Sequence, residues 1–137
     1  MKSTLCTAFG VVGSLIASFF GGWSASLTTL LVFMLIDYVT GLVVAGVFHK
    51  SPKTENGGLE SKAGWKGLIR KCVVLLLVLV GHRLDIELGS SYICDAVCIA
   101  FIVNETISIV ENAGLMGLPV PKFITNAIEL LQNKNKK

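Results

Sequence analysis

A single acid, Asp37, stands in the middle of Leu27–Phe48, a stretch of 22 residues with no other charge. As a helix this stretch reaches roughly 33 Å, enough to cross a hydrocarbon layer of about 30 Å. A carboxylate at that depth costs about 2.5 to 3.5 kcal/mol on insertion scales. It must therefore face a partner helix, face a water-filled cavity, or take up a proton. Each solution implies an integral membrane protein whose helices associate. Composition agrees, with a mean hydropathy of +0.71. Only 15% of the residues are charged, where soluble domains hold about 25%.

Hydropathy divides the 137 residues into an all-α chain with four candidate crossings near 5–23, 27–48, 68–84 and 92–110. The first is short and rich in small residues. The third is centred on the ten-residue apolar run Cys72–Gly81, which alone reaches only about 15 Å. It spans if it extends from Leu68 to Leu84, with Arg70, Lys71 and Arg83 snorkelling toward the two interfaces. The transmembrane region is thus expected over residues 1–112, with a further helix and tail over 113–137. Lys2, Leu5–Phe20 and Ser24-Ala25-Ser26 together have the outline of a signal peptide. The next segment is another span rather than a soluble domain, so Leu5–Phe20 is expected to stay as a helix.

Charge sets the orientation. The connection 49–67 and the first turns beyond it carry Lys50, Lys53, Lys62, Lys66, Arg70 and Lys71, half of the twelve basic residues. The positive-inside bias makes that connection cytoplasmic. Four spans then put both termini in the cytoplasm and leave Gly21–Ser26, Arg83, Asp85 and Glu87 outside. If the first segment lay on the surface, three spans would remain and the N-terminus would be outside. Trp23, Trp65 and Tyr92 sit near expected interfaces, where amphipathic rings are favoured.

Small residues mark faces for close packing. Gly10, Ser14, Ser18 and Gly22 recur every four positions, with Gly13, Ala17 and Gly21 in an adjacent row, and Asp37, Gly41 and Ala45 form another. Such rows let backbones approach where no hydrophobic force drives helices together. They serve packing within one chain, contact between copies, or both. The fourth span is the most polar: Cys94, Cys98, Phe101, Glu105, Ser108 and Asn112 follow one face, with Asp95 and Glu111 beside it. Asp95, Asn104 and Glu105 are costly against lipid, so they should meet protein or water. The four cysteines, Cys6, Cys72, Cys94 and Cys98, fall in apolar segments and read as buried thiols without a disulfide framework.

Gly114, Gly117, Pro119 and Pro121 end this span. Val120, Phe123, Ile124, Ala127, Ile128 and Leu131 then recur at helical spacing opposite Lys122, Thr125, Asn126, Glu129 and Gln132. This amphipathic helix should lie on the membrane or pack on the cytoplasmic end of the bundle, and its basic tail should favour anionic lipid. No nucleotide-binding glycine loop, HExxH or GxSxG is present, and neither His49 nor His82 has a partner for a triad or metal site. The chain therefore does not read as an enzyme, no cofactor or metal is expected, and the short basic connection is explained by topology rather than nucleic acid.

Three blocks, in order, carry a resemblance. Ile36-Asp37-Tyr38-Val39-Thr40-Gly41 closes the second span, and Ser61-Lys62-Ala63-Gly64-Trp65-Lys66-Gly67-Leu68-Ile69-Arg70-Lys71 opens the third. Asn104-Glu105-Thr106-Ile107-Ser108-Ile109-Val110-Glu111-Asn112-Ala113-Gly114 leads into Gly117-Leu118-Pro119-Val120-Pro121. From about Phe33 to Leu131 the chain resembles the phage-lysis and toxin-secretion holin family. The resemblance implies a protein that assembles in the bacterial cytoplasmic membrane. There it opens lesions that let an endolysin reach the wall or a large toxin leave. Its residues and the physical reading meet at Asp37, Asp95, Asn104 and Glu105 as intramembrane polar groups. Alternatives are a proton-coupled multidrug transporter subunit, with Asp37 exchanging a proton for a cation, and a non-conducting holin inhibitor.

Overall fold

The structure is a computed structural model and describes residues 1–136. Five helices follow one another: α1 Lys2–Phe19, α2 Ala25–Gly46, α3 Ser61–Leu88, α4 Ile93–Leu115 and α5 Lys122–Lys136. No strand occurs among the described residues. Lys137 of the expected basic tail, and the Phe123 side chain expected on the apolar face of α5, lie outside what is described.

Local chemistry sets the helix ends. Gly21 and Gly22 take φ of +76° and +98°, a backbone that stops α1 and that side-chain-bearing residues rarely adopt. Ser24 then caps α2, its hydroxyl oxygen accepting from the Leu27 N–H at 3.1 Å, which satisfies one orphan donor. Gly89, left-handed at φ 66°, closes α3.

The start of α4 is satisfied from another helix. Asp85, buried near the end of α3, accepts from the Ile93 N–H at 2.9 Å and the Cys94 N–H at 2.8 Å. It also accepts from the Ser90 hydroxyl at 2.6 Å. Sequence placed Asp85 in an outer connection, but α3 continues to Leu88 and makes it a cap for the next helix. The Ser90 hydroxyl first, then the Cys94 and Ile93 amides, hold its carboxyl below the usual carboxylate range. A folded-state value below the unfolded one adds stability above the unfolded pKa, and that contribution fades as pH falls through the folded value. Asp85→Ala is expected to speed hydrogen exchange at the Ile93 and Cys94 amides at neutral pH. Asp85→Asn, which keeps an acceptor, should do so less. Unchanged exchange in the alanine variant would show that these amides do not depend on Asp85.

α4 is the centre of the bundle. It packs most extensively on α2, then on α3 and α5, while α2 and α3 meet at few points. The core is Leu27, Leu30 and Met34 of α2, Val78 of α3, and Cys98 and Ile102 of α4. On α2 the buried residues Leu27, Leu30, Met34 and Asp37 fall three, four and three apart, with Val44 seven further on, the spacing of one helix face. Gly81 lets α3 close on α4, since a Cβ there would lie 3.3 Å from Cys94 Cα and Val97 Cγ2. Tyr38 does the same between α2 and α3: its ring lies over Gly64 and Gly67, and its hydroxyl donates to the Gly64 carbonyl at 3.4 Å.

These pairings order the helix directions. Val78 and Gly81 meet Cys94 while Lys71 meets Glu105, so α3 runs antiparallel to α4. Leu27 and Leu30 share a core with Cys98, while Asp37 meets Asn112, so α2 and α4 run parallel. Consecutive helices therefore reverse from α2 through α4.

Three helices, α1, α2 and α4, are long and apolar enough to cross a membrane. α3, with Lys62, Lys66, Arg70, Lys71, Arg83, Asp85 and Glu87 along its 28 residues, is not among them. α1 has no extensive packing partner among the described residues. Ala17 is its buried residue, while Leu5, Phe9, Leu15 and Phe19 are exposed. α5 packs on α4, with Ile128 buried and Leu131 against the core. The cysteines divide, contrary to the expectation of four buried thiols. Cys98 is buried and Cys94 half-buried, but Cys6 and Cys72 are exposed.

Candidate functional site

Asp37 is not solitary. Its Oδ2 lies 2.8 Å from the Lys71 ammonium, which also donates to Glu105 Oε1 at 3.1 Å and Oε2 at 2.9 Å. One lysine on α3 thus joins an acid on α2 to an acid on α4. The side chains of Asp37, Lys71 and Glu105 are only 9%, 16% and 7% exposed. Among the described residues these are the ion pairs of the chain.

A second layer holds Asp37 in place. The Asn112 amide donates to Asp37 Oδ1 at 3.1 Å, to the Asp37 carbonyl at 3.2 Å and to Thr40 Oγ1 at 2.8 Å. Thr40 donates back to the carbonyls of Ile36 and Asp37 at 2.8 and 3.0 Å. Gly41 lies beside this contact, where a Cβ would sit 3.9 Å from Asn112 Nδ2 in ordinary van der Waals contact, so the network does not itself require glycine there. Asp37, Thr40 and Gly41 of one sequence block thus meet Asn112 of another.

Sequence reading missed Lys71, which it sent toward the headgroups. The structure turns it inward instead. Two desolvated carboxylates require a cation, and an exposed ammonium would leave both uncompensated. The signal was present: two acids in different spans need a basic partner, and Lys71 is among the few basic residues next to an apolar run. Asn112, read as part of the polar face of the fourth span and of the turn block, is likewise a member of the network.

The other polar positions lie apart from the ion network. Asp95 is exposed in the first turn of α4, where a carboxylate complements the helix dipole. Asn104 is exposed but, with Ser108, lines a cavity of about 750 Å³ that reaches Asp37, Lys71 and Glu105. Of the small residues, Ala45 is buried and Gly41 abuts the network, whereas Gly10, Ser14 and Ser18 are exposed and Gly13 is half-buried. Gly21 faces the His82 ring, near enough that a Cβ would lie 2.5 Å from Cε1. Glu111, Gly114, Gly117, Pro119 and Pro121 are exposed, with Gly117 at φ 80°.

Chemically, the network is an electrostatic clamp. It holds three helices at one level through one shared ammonium. Residues 14–133 match the family model described as the bacteriophage holin family. The chain belongs to this holin family. A protein of Halalkalibacterium halodurans is 37% identical over 143 residues, covering all of both chains. One from Clostridium perfringens is 36% identical, covering 96% of this chain and 94% of its own. A protein named as a probable holin, from Bacillus phage phi105, is 29% identical over 80% of this chain and 76% of its own. No solved structure matches. Holin family membership and the apolar helices make this a membrane protein.

Proposed function

We propose that this chain acts as a holin. It gathers as a homo-oligomer in the bacterial cytoplasmic membrane and opens lesions through which an endolysin, or a large protein toxin, passes. The observation that carries this reading is the family match over residues 14–133. Four helices cross the bilayer with both termini cytoplasmic. The charge of Lys71 is met by Asp37 and Glu105, which removes the main cost of inserting α3. Arg70 and Arg83 sit near the ends of the crossing segment, within snorkelling reach of the headgroups. Residues 113–137 form the cytoplasmic amphipathic helix and basic tail.

In this reading α1 meets neighbouring copies. It exposes Gly10, Ser14 and Ser18 beside apolar side chains, a surface suited to close helix contact. Asp37 and Glu105 are closed against Lys71 before triggering, and together with Asp95 and Asn104 they become useful polar surface when the lesion hydrates. A transporter reading is weaker, because the Asp37 carboxylate is already engaged by Lys71 and Asn112.

Induced expression in bacteria together with a cytoplasmic endolysin tests this directly. Growth is expected to stop abruptly after a delay, with collapse of membrane potential and release of the endolysin. Continued growth at unchanged potential, with the protein confirmed in the membrane, would overturn the lesion-forming role and favour a non-conducting inhibitor. Tolerance to cationic dyes without killing would instead indicate transport.

A further inference from the structure

We propose that the cleft between α2 and α3 binds the headgroup of an anionic phospholipid. This rests on the reading that residues 49–67 are cytoplasmic and that α3 crosses the membrane. α2 and α3 both pack on α4 but meet each other at few points. Between them lies the cavity of about 750 Å³. Its lining includes Lys53 and Glu60 of the connection and Lys66 and Arg70 of α3, three basic groups against one acid at this end.

Charge complementarity identifies the occupant. Lys66 and Arg70 are four residues apart on one helix and therefore share a face. Neither they nor Lys53 form an ion pair among the described residues. Lys71, deeper in the cavity, is already held by two carboxylates and leaves no positive charge to draw an anion further in. The phosphate is thus kept at the level of Lys66 and Arg70, where a guanidinium offers a planar fork to two phosphate oxygens. The Thr54 hydroxyl oxygen is buried without a hydrogen-bond partner among the described residues, and Thr54 lines the same cavity. A phosphate oxygen would accept from it.

The flanking surface suits an acyl chain. Leu42, Ile69 and Val73 line the cavity and are 41%, 56% and 47% exposed. Basic pockets between spans on the cytoplasmic side are a recurring way of holding anionic headgroups.

The full chain, carried through vesicles of phosphatidylcholine and phosphatidylglycerol into detergent, is measured by native mass spectrometry. Retention of one phosphatidylglycerol per chain in preference to phosphatidylcholine is expected. Lys66→Gln with Arg70→Gln should lower that preference roughly tenfold or more, with helix content unchanged by circular dichroism. Lys134→Gln with Lys136→Gln should leave it intact. Equal retention of both lipids, an equal loss in the tail variant, or displacement by millimolar inorganic phosphate would each overturn the proposal. Misfolding of the double variant is bypassed by Thr54→Val, which should reduce retention more mildly. Topology is read separately by external labelling of a cysteine at Ser51 in a chain lacking its native cysteines. Labelling would overturn the cytoplasmic assignment, whereas no labelling with no lipid preference would overturn the lipid site alone.

Discussion

Lys71→Met is expected to abolish lysis and to loosen the α2–α3–α4 bundle by about 3 to 5 kcal/mol, the usual cost of removing one partner from a buried charge pair. The effect is large because one ammonium serves both Asp37 and Glu105, so its loss leaves two carboxylates facing each other without a cation. Lys71→Arg keeps the charge and should retain much of the stability. The informative companion is the triple variant Asp37→Leu, Lys71→Met, Glu105→Met. Replacing a whole buried ion group by apolar side chains is often neutral or stabilising, so the bundle should recover its resistance to thermal unfolding in detergent. If lysis returns with it, the network is a structural clamp only. If stability returns without lysis, the charges act in the open state. A Lys71→Met protein as stable as the parent would show that the clamp contributes little.

Asp37 should be the more forgiving partner. Asp37→Asn leaves an oxygen to accept from Lys71 or Asn112, and it leaves one ammonium facing one carboxylate. Lysis is expected to shift in time but to persist. Asp37→Leu removes the acceptor for both Lys71 and Asn112 Nδ2. Glu105 still meets the lysine, while Thr40 Oγ1 and the Asp37 carbonyl still meet the amide. The loss should therefore be about 1 to 3 kcal/mol, less than for Lys71→Met. The measurement is lysis time together with the size of crosslinked oligomers. Equal behaviour of Asn and Leu variants, both failing while oligomers still form, would mean that charge rather than hydrogen bonding is what Asp37 contributes. Parent-like behaviour of both would remove Asp37 from the functional residues.

Much of this protein was determined by its sequence alone. Long apolar runs broken by Gly21-Gly22 and by Gly114 to Pro121 dictate helices and where they end, because those signals are local. The ordered blocks around Asp37, Gly64 and Asn112 pointed to the holin family, and the match over residues 14–133 shows it. Which charges meet was decided only by the tertiary structure. Asp37, Lys71 and Glu105 are each 34 residues from the next, and nothing local aligns them. They come to one level because α2 and α4 run parallel with α3 reversed against them. Asp95, another acid on the same helix, falls on the exposed side. Burial makes Lys71 a clamp rather than a headgroup anchor: two desolvated carboxylates outweigh the pull of water on one ammonium.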